Sequence, residues 1–172
     1  MGLALESGVN VGAVSMSTKE QTKDGFLVGI ISDTHGHLRP EVAEAFAGVD
    51  LIIHAGDIGN HEVLEALRAI APVHAVRGNM DGGWAHGLPA TEVVEIGEVL
   101  FYVLHDAYLL NLDPAAAGFV AVINGHTHRA AVEKRKGVLF LNPGSASPHS
   151  SSGTVALLRI RGTSLEPEII EL

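Results

Sequence analysis

The 172-residue chain contains no cysteine. Disulfides and thiolate metal sites are therefore excluded, and a bound metal would need histidine, carboxylate, amide or water ligands. Cations are scarce too, with 11 Lys and Arg against 20 Asp and Glu and a formal net charge of −9. That balance argues against stable nucleic-acid binding, which needs a basic face. It leaves a nucleotide substrate open, because two bound cations would reverse the potential locally. No apolar run approaches the roughly 18 residues of a membrane span. The first basic residue is Lys19, so the amino terminus lacks the charged start of a signal peptide and a soluble, cytoplasmic protein is expected.

What is present is a 47% hydrophobic content, enough at this length for one domain with a real core. The apolar residues fall into short β-branched runs, each followed by a polar signature. Run 26–31 precedes Asp33-Thr34-His35, and run 51–53 precedes Gly56-Asp57. Run 72–76 precedes Gly78-Asn79-Met80-Asp81, run 99–104 precedes His105-Asp106, and run 119–123 precedes Gly125-His126-Thr127-His128. Such runs, bounded by Gly, Asn or Asp, read as buried strands. Polar residues at several strand ends would converge on one rim, where open α/β sheets place their ligands.

Residues 1–24 mix Gly, Ser, Thr and scattered charge without periodicity, and are expected to form a flexible extension, with a short strand over 13–16 as the second reading. Residues 25–172 are expected to form a single domain. Helices are predicted over 40–48 and over 61–70, the latter capped by Asn60. Gly97-Glu98 predicts a hairpin joining 91–96 to 99–104. A short helix is predicted over 114–118, and strands over 130–134, 138–141, 154–160 and 164–170. Early strand–helix alternation followed by a strand-rich half predicts an α/β fold of two packed mixed β-sheets flanked by α-helices.

In extended chain, residues i and i+2 share a side, so Asp33 and His35 could address one cation, and His126 and His128 one small region. Taken singly, Asp33, Asp57 and Asn79 are ordinary turn residues. Taken together, these carboxylates, imidazoles and the amide suit a pair of borderline-hard divalent cations holding a hydrolytic water.

The ordered set Asp33-x-His35, Gly56-Asp57, Gly78-Asn79-x-Asp81, His105 and Gly125-His126-x-His128 resembles the motif series of the calcineurin-like metallophosphoesterases. The short length resembles the small YfcE-type phosphodiesterases and the retromer subunit related to them. The resemblance implies that Asp33, His35 and His128 bind one metal, that Asp57 bridges, and that Asn79, His105 and His126 bind the second. It implies an enzyme that hydrolyses phosphate esters through a metal-bound hydroxide, with Asp57, Asn79 and His126 catalytic through the metals. Manganese is the first expectation for the two ions, with iron, zinc or nickel as alternatives. The substrate would be a small phosphodiester, and the chain could form a homodimer. A non-catalytic scaffold like the retromer subunit is the competing reading. Asn142-Pro143-Gly144-Ser145 resembles a turn of the same branch whose backbone would lie near the site.

Two positions depart from the wider pattern. Met80 stands where many superfamily members carry a histidine that can protonate a leaving group, so diesters with good leaving groups should be favoured. Asp106 stands where many have glycine, as either an outer acceptor for an imidazole or a strand-end cap. Among other residues, His37, His54, Arg77 and Arg129 are candidates for substrate contact. For His54 a core position is the alternative, and for the arginines a surface ion pair. Asp81 reads as a turn residue or an outer partner, and Trp84 as a hydrophobic plug or a base-stacking ring. His61, His74, His86 and His149 read as surface or helix-start residues.

Overall fold

A computed structural model describes residues 24–172. The expectations for 1–23, including the extension and the strand over 13–16, lie outside the described residues. In chain order the elements are β1 (Phe26–Ile31), α1 (Glu41–Ala45), β2 (Leu51–His54), α2 (His61–Arg68) and β3 (Val73–Ala75). They continue with β4 (Thr91–Ile96), β5 (Val99–Leu104), β6 (Phe119–Ile123), β7 (Ala130–Arg135), β8 (Val138–Pro143), β9 (Thr154–Arg161) and β10 (Ser164–Glu171). These form two five-stranded sheets, ordered β10-β9-β1-β2-β3 and β4-β5-β6-β8-β7.

Both sheets are mixed. In the first, β1, β2 and β3 run parallel while β9 and β10 are antiparallel additions. In the second, β5, β6 and β8 are parallel, with β4 and β7 antiparallel at the edges. Strand alternation sorts the side chains into layers. Val28 and Ile30 of β1 join Phe101, Val103, Ala121, Ile123 and Leu141 in the core between the sheets. Ile31 and Ile52 face outward, where Phe46, Leu64 and Leu67 cover them. Gly29 lets Phe46 lie against β1, since a Cβ there would sit 2.9 Å from the phenyl ring.

The α2 start follows the local chemistry. Asn60 Oδ1 accepts a hydrogen bond from Val63 N (3.1 Å), and Val63, Leu64 and Leu67 are buried. The hairpin turns at Gly97, with φ +59°. Two helix expectations shorten. Over 40–48 only Glu41–Ala45 is α-helical, and Gly48 (φ +79°) turns the chain toward β2. Over 114–118 there is a single hydrogen-bonded turn, in which the Asp113 carboxylate accepts from Ala115 and Ala116 N–H and Gly118 (φ +84°) ends it. Both α-helices therefore lie on the first sheet. The outer face of the second carries a smaller cluster of Leu104, Val122 and Val138 with Tyr102, Leu110 and Phe140. Among the described residues no helix is long and apolar enough to cross a membrane.

Candidate metal centre

The parallel strands β1, β2, β3, β5 and β6 bring their carboxyl ends to one rim, and loops from the two sheets interlock there. Asp33 N donates to Gly56 O (3.0 Å) and His35 N to Asp57 O (3.0 Å), extending the β1–β2 pairing into the loops. Gly125 N donates to His105 O (2.9 Å), and His126 N crosses to the first sheet to donate to Asp33 Oδ2 (3.1 Å).

Five of the seven candidate ligand side chains are aimed by left-handed backbone rather than by strand alternation. Asp33 (φ +56°), His35 (+48°), Asp57 (+53°), His126 (+71°) and His128 (+60°) all occupy this region. This corrects the extended-chain premise: Asp33 and His35 converge through a turn, as do His126 and His128. Left-handed backbone costs a non-glycine residue roughly 1–2 kcal/mol, a strain that clusters at functional sites. Two glycines allow the close approach. A Cβ on Gly78 would run into the Asp57 carboxylate, and one on Gly125 would run into Ser32 Oγ.

Asp33 Oδ1 lies 3.1 Å from His128 Nε2, 3.8 Å from His35 Nε2 and 3.9 Å from His105 Nε2. The two histidine nitrogens of His35 and His128 are 3.4 Å apart. His105 Nε2 also lies 3.3 Å from Asp57 Oδ2. Two groups thus have metal-ligand spacing, Asp33–His35–His128 and Asp33–Asp57–His105, and the shared residue in this geometry is Asp33. Asn79 Oδ1 faces His126 Nδ1 at 3.2 Å, beside the second group.

The donor set fits divalent cations on an internal observation. Asp33 Oδ1 and His105 Nε2 are buried side-chain atoms without a hydrogen-bond partner. Their companions are spoken for: Asp33 Oδ2 accepts from Ser32 Oγ (2.7 Å), and His105 Nδ1 donates to the Ala55 carbonyl (2.7 Å). Buried polar atoms without partners are expensive and rare. Oxygen and imidazole lone pairs left pointing at one another at this spacing are what a shared cation would satisfy.

Electrostatics reinforce the pairing. Burial pushes the Asp57 carboxyl up, but His105 and the Met80 N–H (2.8 Å to Oδ1) outweigh it and hold the pKa below its usual value. Burial likewise pulls His105 down, and the Asp57 carboxylate with the Ala55 carbonyl more than reverses that. Met80 therefore serves Asp57 through its backbone, while its thioether side chain is 69% exposed.

The remaining candidates scatter. His54 lies in the core, fully buried. Gly56 N donates to its Nδ1 (3.2 Å), so Nε2 carries the hydrogen and faces Thr34 Oγ1 at 2.9 Å. Burial first, and His105 next, lower its pKa to about 3. His37 is exposed on the rim, its ring 5.9 Å from that of His149. Arg77 donates to the Leu88 carbonyl (2.6 Å). Arg129 is exposed and lines a cavity behind the 126–128 loop. Trp84 packs with the cluster under α1 and α2 and meets the His61 ring at 4.9 Å, which makes it a plug. Asp106 is the cap of the two readings: Oδ1 accepts from Tyr108 N (3.0 Å), while Oδ2 lies 3.8 Å from His126 Nε2, beyond hydrogen-bond distance.

Several supporting residues were invisible or ambiguous in sequence. Asp81 accepts from Gly78 N (2.8 Å), Ile58 N (3.2 Å) and Gly59 N (2.9 Å), tying the β2 and β3 loops together. Asn142 Nδ2 donates to Gly125 O (2.8 Å) and Thr127 Oγ1 (3.1 Å), and Ser145 Oγ to Asp33 O (3.1 Å). The 142–145 turn thus acts mainly through side chains. His149 lines a cavity of about 310 Å³ with His35 and His128, on a loop held by Arg39 hydrogen bonds to Ser147 O and Ser150 O. A cavity of about 640 Å³ at the opposite end of β1, beside Asp50 and Arg159, contains none of the ligand set.

The chain belongs to the calcineurin-like phosphoesterase superfamily, whose domain model matches residues 26–163. It is 34% identical over 157 residues to a probable metallophosphoesterase of Methanothermobacter thermautotrophicus, covering 84% of this chain and 91% of that protein. Among solved structures, an archaeal phosphodiesterase superposes with a TM-score of 0.71 at 26% identity, over 84% of this chain and 99% of its own. Vacuolar protein sorting 29 from Cryptosporidium parvum shares the fold at a TM-score of 0.70 and 22% identity, over 87% of this chain and 99% of its own.

Proposed function

We propose that the protein is a dinuclear metal-dependent phosphodiesterase acting on small esters. The observation that carries the reading is the pair of buried, unpartnered atoms, Asp33 Oδ1 and His105 Nε2, at the centre of the ligand cluster. Asp33, His35 and His128 would hold one cation and Asn79, His105 and His126 the other, with Asp57 shared between them and Asp33, common to both metal-spaced groups, close to each. Manganese is the first choice, and the oxygen–nitrogen donor set also suits iron, zinc or nickel. When bound, such cations supply Lewis acidity toward phosphoryl oxygens and lower the pKa of water.

The chain's own groups prepare that chemistry. Asp57 is held ionised by His105 and Met80 N–H. The Ala55 carbonyl fixes the His105 tautomer so that Nε2 faces the cluster. The Asn79 amide adds an oxygen ligand without adding negative charge. No side chain at position 80 can protonate a leaving group, so esters whose leaving groups depart as anions are favoured. The phosphodiesterase fold relative supports the diester assignment.

With manganese, the purified protein should hydrolyse bis(p-nitrophenyl) phosphate, and Asp57→Ala should abolish turnover while remaining folded. Full activity in that variant would falsify the assignment. The Vps29-like fold and the Met80 substitution support the alternative of a non-catalytic scaffold. Metal analysis separates the two: about two ions per chain supports the enzyme, and fewer than about one the scaffold.

A further inference from the structure

Asn124 directly follows β6 on the outer face of the second sheet. Val122 belongs to the apolar cluster on that face, and alternation turns Asn124 the same way. Asn124 is only 8% exposed. Its backbone N–H donates to Leu141 O (3.0 Å), but its side-chain amide has no hydrogen-bond partner among the described residues. It is also not sealed from solvent, unlike Asp33 Oδ1 and His105 Nε2. It opens on a cavity of about 450 Å³, the size of a small-molecule site.

The walls of this cavity carry two more groups without an internal role. Tyr108 is 89% exposed, presented on the 3₁₀ turn Ala107–Leu109 that Asp106 caps. Arg129 lines the cavity with no acidic partner among the described residues, whereas Arg135 opposite is held by Glu133 (2.6 Å) and lies over the Phe140 ring. None of the metal-ligand side chains lines this cavity, since only Thr127 of their loop reaches it.

We propose that this cavity binds a nucleoside monophosphate, with adenine as the preferred base. An amide places a donor and an acceptor side by side, which matches the N6–N7 edge of adenine. An exposed aromatic ring offers a stacking face, and an uncommitted guanidinium takes a phosphate in a bidentate grip. A free sugar would leave Arg129 unused, and a free anion would leave Asn124 and Tyr108 unused. The site stands apart from the esterase reading, because it needs neither metal nor turnover.

Calorimetric titration of the metal-free full chain with AMP, adenosine and ribose 5-phosphate tests this. AMP should bind at least about tenfold more tightly than either fragment, and Tyr108→Ala or Arg129→Ala should each weaken it about tenfold. Asn124→Ala should erase the advantage of AMP over ribose 5-phosphate without lowering the Tm of the unliganded protein, because the amide has no partner there. AMP binding no tighter than ribose 5-phosphate overturns the proposal. So does a fall in Tm for Asn124→Ala, which would mark a structural asparagine, or wild-type affinity in all three variants.

Discussion

Asp33, Asp57 and Asn79 reach the rim from strands of the first sheet, whereas His105, His126 and His128 reach it from the second. Among the seven candidate ligands, His35 is the one imidazole on the carboxylate side. The proposed oxygen ligands thus come from a layer backed by two helices and stitched by loop-to-loop hydrogen bonds, and most of the proposed nitrogen ligands from a layer with thinner cover. The contrast teaches that neither sheet holds a site by itself. Both metal-spaced groups contain Asp33 from the first sheet and a histidine from the second, so the centre forms only when the sheets pack.

The sharpest way to break this symmetry is to remove one ligand from each side. Asp57→Ala takes away the residue proposed to sit between the cations, and should drop the metal content from about two ions toward none and activity by more than about 10³-fold. His126→Ala removes a residue proposed to hold only one cation. It should leave about one ion per chain, with activity down about 10²-fold. Metal analysis beside turnover checks both. Equal metal loss in the two variants would show that the sheets contribute equivalently.

A smaller effect separates the supports of the two layers. Asp81 satisfies three backbone N–H groups around the first-sheet loops, and Asn142 ties the second-sheet loop through Gly125 O and Thr127 Oγ1. Hydrogen bonds to a carboxylate are each worth roughly 1.5–3 kcal/mol, and neutral ones about 1 kcal/mol. Asp81→Ala should therefore cost about 4–5 kcal/mol in urea unfolding and Asn142→Ala about 2 kcal/mol, each with weakened metal binding. If Asn142→Ala proves the costlier, the second layer is the more dependent on its support.

How much of this was readable beforehand follows the range of each interaction. Strands 99–104 and 119–123 appear as read, because β-branched runs bounded by turn residues carry their own signal. The motif order also singled out the residues that meet with metal-ligand spacing, Asp33, His35, Asp57, His105 and His128, since that chemistry resides in residue types. The aim of these side chains was not readable. Nothing local says that an Asp or His will take a left-handed backbone usually left to glycine. Asp81 and Asn142 act on backbone groups of loops well away in the chain, and His149 reaches the site on a loop clamped by Arg39 from 108 residues away. The turn over 114–118 shows the opposite failure: alanines favour helix, but a capped turn ended by Gly118 has no room to become one.

Each sheet buries one imidazole, His54 in the first and His105 at the end of β5 in the second. Burial pulls both down, yet His54 falls to about 3 while His105 rises, because His105 has a carboxylate and a carbonyl against it. In metal-free protein their pH effects have opposite signs. His105, raised, contributes stability that is present at low pH and is lost as pH rises through its folded value. His54, lowered, contributes nothing adverse above pH 6.5, but below it the unfolded chain takes up a proton that the native core refuses. Its share of stability therefore falls with acidification by about 1.4 kcal/mol for each pH unit between 6.5 and 3. Urea unfolding in chelator at about pH 7.5 and pH 5.5 should show this loss, roughly 1.4 kcal/mol, flattened in His54→Gln and steepened in His105→Gln. An unchanged acid slope in His54→Gln would mean that the native core admits the proton after all.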